Sequence, residues 1–437
     1  MSRSIFETQF LVNEAESLLT RLSDMKPFAM NMPMVLAATI SDEAMRGITE
    51  LLIKGYRELK HKVGSYINWV RHSPHTGITP GNAQARYAFL KLRFNALLDQ
   101  LDIFADVLAQ RAEHETGSLI AGLDALAADA IKINPCLYSP PPLICFLERG
   151  HGAAIRRART RLPGGDLNPV AVIQVPRERM IGSGIASSLI HEVGHQGAAL
   201  LNLVETLRDA IRKRQIHSPH KVSWDCYYRW ISEIIADFWA MAHLGIGATL
   251  GLMSVVSLPE YFVFRINLED PHPFPWIRVK LSLAFGKVLY PHPQWDRYGQ
   301  LWERMYPRSG SDPSTQALLE QLEQTMPAFV HLVINHQSEK LGGKRLLDLF
   351  PFRSRQPAHL QHLFSTWKFS PEEISKAPPS LLFAVVGQAR ADASISPAKE
   401  SEWLKRWLNN WAFLSAENRS KKELPRVYRE LKQLVNN

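Results

Sequence analysis

Five consecutive residues, His191-Glu192-Val193-Gly194-His195, constrain this chain more than any other feature. On an α-helix, residues four apart share a face, so both imidazoles can point at one metal ion. Glu192, one residue past the first imidazole, can reach a water beside that metal without occupying the metal itself. The run before the motif, 181–190, opens with glycine and serine and turns apolar, which predicts a helix carrying all five residues. The string also has a bland reading, as two histidines satisfied in a core or on a surface.

A second pair shifts that balance. Glu233 and Asp237 are again four apart, and they lie among Ile, Phe and Trp between Trp230 and Ala240. A carboxylate in apolar surroundings needs a metal, a cation or several hydrogen bonds. Glu233 completes a His2Glu ligand set that leaves one position for water, the pattern of catalytic rather than structural zinc. Asp237, one turn further on, is spaced to accept the free ring N–H of a ligating histidine and so to fix its tautomer. The expected metal ligands are therefore His191, His195 and Glu233, holding one Zn2+ per chain. The alternative is a buried acid pair bridged to Arg229 or to a histidine, with no metal.

HEVGH followed by Glu-x-x-x-Asp resembles the gluzincin group of zinc metallopeptidases, whose third ligand is a glutamate on a second helix. The segment from Asp270 to Arg278, with His272 followed by Pro273, is distantly similar to an element of the HtpX-like peptidases within that group. This resemblance implies that His272 and Arg278 face the active site and help bind the substrate or its tetrahedral intermediate. It spans residues 140–290 and departs from those relatives in two ways. Transmembrane helices like theirs are not evident, and the Gly-Ala-Met-Glu-Asn signature of aminopeptidase gluzincins is absent.

The implied reaction is peptide-bond hydrolysis. Zinc makes water acidic enough to attack near neutral pH. Glu192 would take the water's proton and return it to the leaving amine, and a second donor would steady the oxyanion. Tyr227 and Tyr228 are chemically able donors, although aromatics packed at a helix start explain them more simply. His272 has its own bland reading, a turn histidine among prolines. Residues 168–176, β-branched and bounded by prolines, predict an edge strand. That strand would pair with substrate main chain, with 143–148 as its neighbour in the sheet.

The remaining sequence bounds the fold. With 437 residues, 46% of them hydrophobic, the chain can bury one large core or two to three smaller ones. Apolar periodicity predicts helices over 41–71, 82–113, 313–334, 357–367 and 400–414, and a capping box at Ser370 predicts one more. The expected fold is α+β, predominantly α. A zincin-like metallopeptidase core with a small sheet (136–300) lies between helical regions at 1–135 and 301–437. Residues 238–258 hold His243 as their one ionisable group, yet Gly245, Gly247 and Gly251 favour a broken core helix over a membrane span.

Three cysteines without a CxxC pair point to a reducing compartment, and the first residues lack the apolar stretch of a secretory signal, so a soluble cytoplasmic protein is expected. The net charge is +9, and the densest basic cluster is Arg156, Arg157, Arg159 and Arg161. No nucleic-acid motif accompanies them, which favours a solvated basic face beside the cleft. The segment 392–403 lacks the glycine and the terminal glutamate of a calcium loop. The leading expectation is a zinc-dependent metalloendopeptidase acting on a peptide or protein substrate. The alternative is a non-catalytic or latent zinc-binding assembly protein, which would have no use for Glu192 as a base.

Overall fold

Helical patterning becomes helix through most of the chain. The computed structural model describes residues 3–30, 33–72, 79–134, 136–150, 152–180, 182–267, 269–308, 312–367 and 371–435. In order, α1 (Arg3–Met30), α2 (Asp42–His72), α3 (Pro80–Ala109) and α4 (His114–Ala130) precede three strands, β1 (Leu143–Glu148), β2 (Ala154–Arg156) and β3 (Ala171–Pro176). Then come α5 (Gly184–Leu200), α6 (Leu203–Ile216), α7 (Lys221–Leu244), α8 (Ile246–Val256), α9 (Glu260–Val263), α10 (Pro275–Leu289) and α11 (Gln294–Met305). The chain continues through α12 (Pro313–Ile334), α13 (Pro357–Thr366), α14 (Pro371–Lys376), α15 (Pro379–Ala391) and α16 (Pro397–Val435). The protein is thus predominantly helical with one small sheet, as the periodicity predicts.

Local chemistry sets several helix starts. Thr79 accepts the Asn82 N–H ahead of Pro80, and Asp312 accepts the N–H groups of Ser314 and Thr315 ahead of Pro313. Both follow the rule that an oxygen-bearing N-cap before proline satisfies the first free amides. The capping residue expected at Ser370 lies outside the described residues; α14 begins at the next position.

Contacts divide the chain into two units. One comprises residues 1–118, 141–144 and 156–172; the other comprises 119–140, 145–155 and 173–437. In the first, α1, α2 and α3 share a core that includes Leu11, Leu18, Val63, Tyr66, Tyr87, Phe94 and Leu97. In the second, α7 is the central element, packed against α5, α6, α10, α12 and α15. From Trp230 to Leu244 almost every α7 side chain is buried, which is why its two acids stand in an apolar run.

The sheet corrects one expectation. Its order is β1-β3-β2, so the strand at 171–176 lies in the middle and is not an edge. The flanking prolines are tolerated because Pro169 lies outside the strand and Pro176 is its last residue. The exposed outer strand is β2, at three residues too short to be legible as a strand in the sequence. The predicted pairing of 143–148 with the strand at 171–176 is observed.

The apolar stretch 238–258 breaks at Gly245, whose φ of 55° with ψ of −133° is open to glycine and strained for any residue with a Cβ. Two helices result, both largely buried in protein. Among the described residues no helix is long and apolar enough to cross a membrane.

His243, near the end of α7, is 2% exposed, and neither of its ring nitrogens is hydrogen-bonded. The Ala130 carbonyl already accepts the Trp239 indole N–H at 2.9 Å and gives the ring only weak support. Burial, with the Arg355 charge adding to it, therefore lowers the imidazole from its ordinary 6.5 to about 3. The unfolded chain binds the extra proton, so this group's contribution to stability is complete above the unfolded value and shrinks as pH falls toward 3. At pH 5 the loss amounts to about 2 kcal/mol. His243→Leu should flatten that part of the stability–pH curve, as measured by urea unfolding between pH 7 and pH 4.5.

Candidate metal centre

Two helices cross at unusually close range to build the site. Gly194 lies in the middle of α5, where an added Cβ would come within 2.8 Å of the Trp239 Cβ and 2.9 Å of the Ala236 Cα. A Cβ at Gly197 would come within 2.3 Å of the Trp239 ring. The absence of side chains at these positions brings α5 against α7 with their ligand-bearing faces turned toward each other. The HEVGH glycine is therefore a packing requirement, separate from the chemistry of its neighbours.

That crossing gathers His191, His195 and Glu233, whose candidate ligand atoms all lie within 4.8 Å of one another. His191 Nε2 is 3.2 Å from Glu233 Oε2, and His195 Nε2 is 3.5 Å from Glu233 Oε1. The two imidazole rings stand edge to face, 4.8 Å apart. A third imidazole, His272, brings its Nε2 to 3.1 Å from Glu233 Oε2. Despite these approaches, Glu233 Oε2 is buried and has no hydrogen-bond partner, because the ring nitrogens are near it without being aligned to it. Donor atoms that converge without bonding to one another, around an orphaned buried oxygen, fit a cation better than a hydrogen-bonded cluster.

The surrounding charges are ordered. Asp237 Oδ1 is 2.8 Å from His191 Nδ1, which leaves Nε2 turned to the cluster. Arg278 grips the same carboxylate with two donors, Nε to Oδ2 at 2.7 Å and Nη2 to Oδ1 at 2.8 Å. Asp270 supports His272 in turn, with Oδ1 2.8 Å from Nδ1 and 2.9 Å from the backbone nitrogen. The cation that a metal-free reading requires is thus present for Asp237, and it is Arg278; Arg229 pairs with Asp225. Glu233 is left with imidazoles alone.

These neighbours shift the local pKa values in opposite directions. Burial pulls His191 down, but the Asp237 carboxylate outweighs it, and the ring rises to about 9. Burial opposes ionisation of Asp237 and Glu233, yet Arg278 and His191 in the first case and the imidazoles in the second hold both well below the usual carboxylate range. Glu192 moves the other way: it is 7% exposed, and desolvation raises its carboxyl above the ordinary value despite the two imidazoles beside it. The Glu233 carboxylate at 3.1 Å raises His272.

Glu192 forms part of the wall of a cavity of about 140 Å³, together with Ser187, Ser188, His191, His272 and Arg278. Gly152 and Ala153, the residues that lead into β2, complete one side. The sequence-predicted residues His191, Glu192, His195, Glu233, Asp237, His272 and Arg278 therefore come together in one place. The two tyrosines do not join them. Tyr227 donates its hydroxyl to the Leu322 carbonyl at 2.7 Å and stacks on Phe329, and Tyr228 lies beneath Arg208 and Arg212. Sequence reasoning missed Asp270, although an acid two residues before a histidine is a short-range signal for a bond of this kind.

Arg278 and Asp237 provide a stability test independent of any ligand. Arg278→Met leaves the Asp237 carboxylate in its pocket without a counter-charge and should cost about 3 kcal/mol. The double variant Asp237→Asn/Arg278→Met removes the stranded charge while keeping an oxygen for His191, so it should lose clearly less than the sum of the two single changes. Urea unfolding of the four proteins at neutral pH measures that coupling.

No protein-family model, curated protein or solved structure matches this chain.

Proposed function

We propose that this protein is a zinc-dependent metalloendopeptidase with a zincin-like core, in which His191, His195 and Glu233 hold the metal. The observation that carries this reading is the gathering of their ligand atoms within 4.8 Å of one another, around a buried Glu233 Oε2 that makes no hydrogen bond, with Glu192 in the adjoining cavity wall. Two imidazole nitrogens, which must give up any proton as the metal binds, and one carboxylate are the donor set of catalytic zinc. Bound zinc supplies a Lewis acid that polarises a peptide carbonyl and makes water a competent nucleophile near neutral pH.

The chain's own residues would divide the remaining work. Asp237 fixes His191 with Nε2 free, and Arg278 fixes Asp237, so the pair orients one ligand and balances its charge. Glu192 accepts the proton of the attacking water on a carboxylate oxygen and delivers it to the leaving amine nitrogen. His272, oriented by Asp270 and lining the cavity, would donate from Nε2 to the developing oxyanion as the imidazolium that the neighbouring Glu233 and Asp270 carboxylates favour.

Substrate main chain would add to the open edge of β2, which adjoins the cavity through Gly152 and Ala153; the central β3 cannot take that role. A second groove of about 470 Å³ shares Val255 with the cavity and gives a polypeptide room to continue, which favours cleavage within a chain.

Elemental analysis of the purified protein should find one zinc per chain, and Glu233→Ala should lose it. Wild type should cleave members of a peptide library, and Glu192→Gln should retain zinc while its kcat/KM falls by at least about a thousandfold. Zinc without cleavage by wild type would instead support a latent or assembly role, and a protein free of zinc after loading would sink the reading altogether.

A further inference from the structure

We infer that Glu400, in the first turn of α16, is a positioning residue for the metal centre; this rests on the zinc reading above. Its side chain is 4% exposed, and its Oε1 accepts the Ser183 backbone N–H at 2.7 Å. Ser183 is the N-cap of α5, the helix that carries His191, Glu192 and His195, and the bond joins residues 217 apart in sequence. Arg390 Nη1, from the end of α15, stands 3.7 Å from the same carboxylate oxygen.

The consequence follows from how α5 is held. Its second half is fixed on α7 by Gly194 and Gly197 against Trp239. Its first half meets α8, where Gly251 packs on Ser187 and Gly184 and the Ser187 hydroxyl donates to the Ala248 carbonyl at 3.0 Å. Those contacts resist separation of the helices. The Trp239 ring interlocks with the second half of α5, but at the start of the helix Gly184 and Gly251 face each other without side chains and offer no such hold against sliding. A slip of one residue moves a helix 1.5 Å along its axis, whereas metal–ligand distances tolerate about 0.2 Å. A hydrogen bond to the terminal amide opposes that slip directly, and a buried side chain anchored in another helix is well suited to make it. Glu400 thus fixes the axial position of α5 and, with it, the placement of His191 and His195 relative to Glu233.

The full-length protein tests this through zinc affinity, measured by competition with a chromophoric chelator, and through the visible ligand-field bands of the Co2+-loaded form. Glu400→Ala should weaken zinc binding about tenfold or more and alter the Co2+ bands. Glu400→Gln keeps an oxygen for the Ser183 N–H and should stay within about threefold of wild type with unchanged bands. Ser183→Pro removes the donor at a backbone φ of −61° that proline adopts, and should reproduce the alanine phenotype. This variant decides the matter if Glu400→Ala does not fold. Wild-type affinity and bands in folded Glu400→Ala would overturn the inference and leave Glu400 a merely structural contact. A glutamine variant that behaves like alanine would also overturn it, by tracing the effect to charge. Failure of the wild type itself to take up zinc would show that the metal reading had failed, and this inference would fall with it.

Discussion

The α5–α7 crossing is the constraint on which the rest depends. Two helices usually pack with axes 8–10 Å apart, separated by side chains. Here Gly194 and Gly197 remove that spacer, and the Trp239 ring occupies the room they leave. Across this contact an imidazole on one helix and a carboxylate on the other bring their polar atoms to 3.2 Å. Larger side chains at the two glycines would push the helices apart and disperse the cluster before any ligand was changed. The apolar packing around α7 therefore has a chemical consequence: it sets the spacing of the polar groups.

Close packing also creates the electrostatic problem that the site resolves. Three carboxylates, Glu192, Glu233 and Asp237, lie in one poorly solvated region, and water cannot compensate them fully. Each meets a different solution. Asp237 has a bidentate arginine; Glu233 has imidazoles nearby but an oxygen without a hydrogen bond; Glu192 answers burial by holding a proton more tightly. Neighbouring acids with divergent proton affinities are a frequent mark of catalytic sites, since one group can stay ionised while another moves protons. The arginines of the basic run at 156–161 are exposed to solvent.

Much of the helical framework was legible. Residues 41–71 and 313–334 became α2 and α12 with their expected extents, because apolar side chains at helical spacing and short capping signals act locally. The break at Gly245 was legible for the same reason, since a positive φ is a local demand. The strand order was not. Prolines at both ends of 168–176 suggested an edge, but whether a strand has one neighbour or two depends on the rest of the chain, and the three-residue β2 gave no signal.

The candidate site divides along the same line. Sequence alone determined which residues share a helix face: His191 with His195, and Glu233 with Asp237, because the helical period is fixed by backbone geometry. It also marked the acids as needing partners, because apolar neighbours announce burial. Only the tertiary structure decided who those partners are. Arg278 came to Asp237 from 41 residues away, His272, held by Asp270, turned toward Glu233 from the loop before α10, and Glu400 reached the start of α5 from 217 residues away. Such pairings follow from how helices pack in three dimensions, and the spacing of residues along the chain carries no record of that.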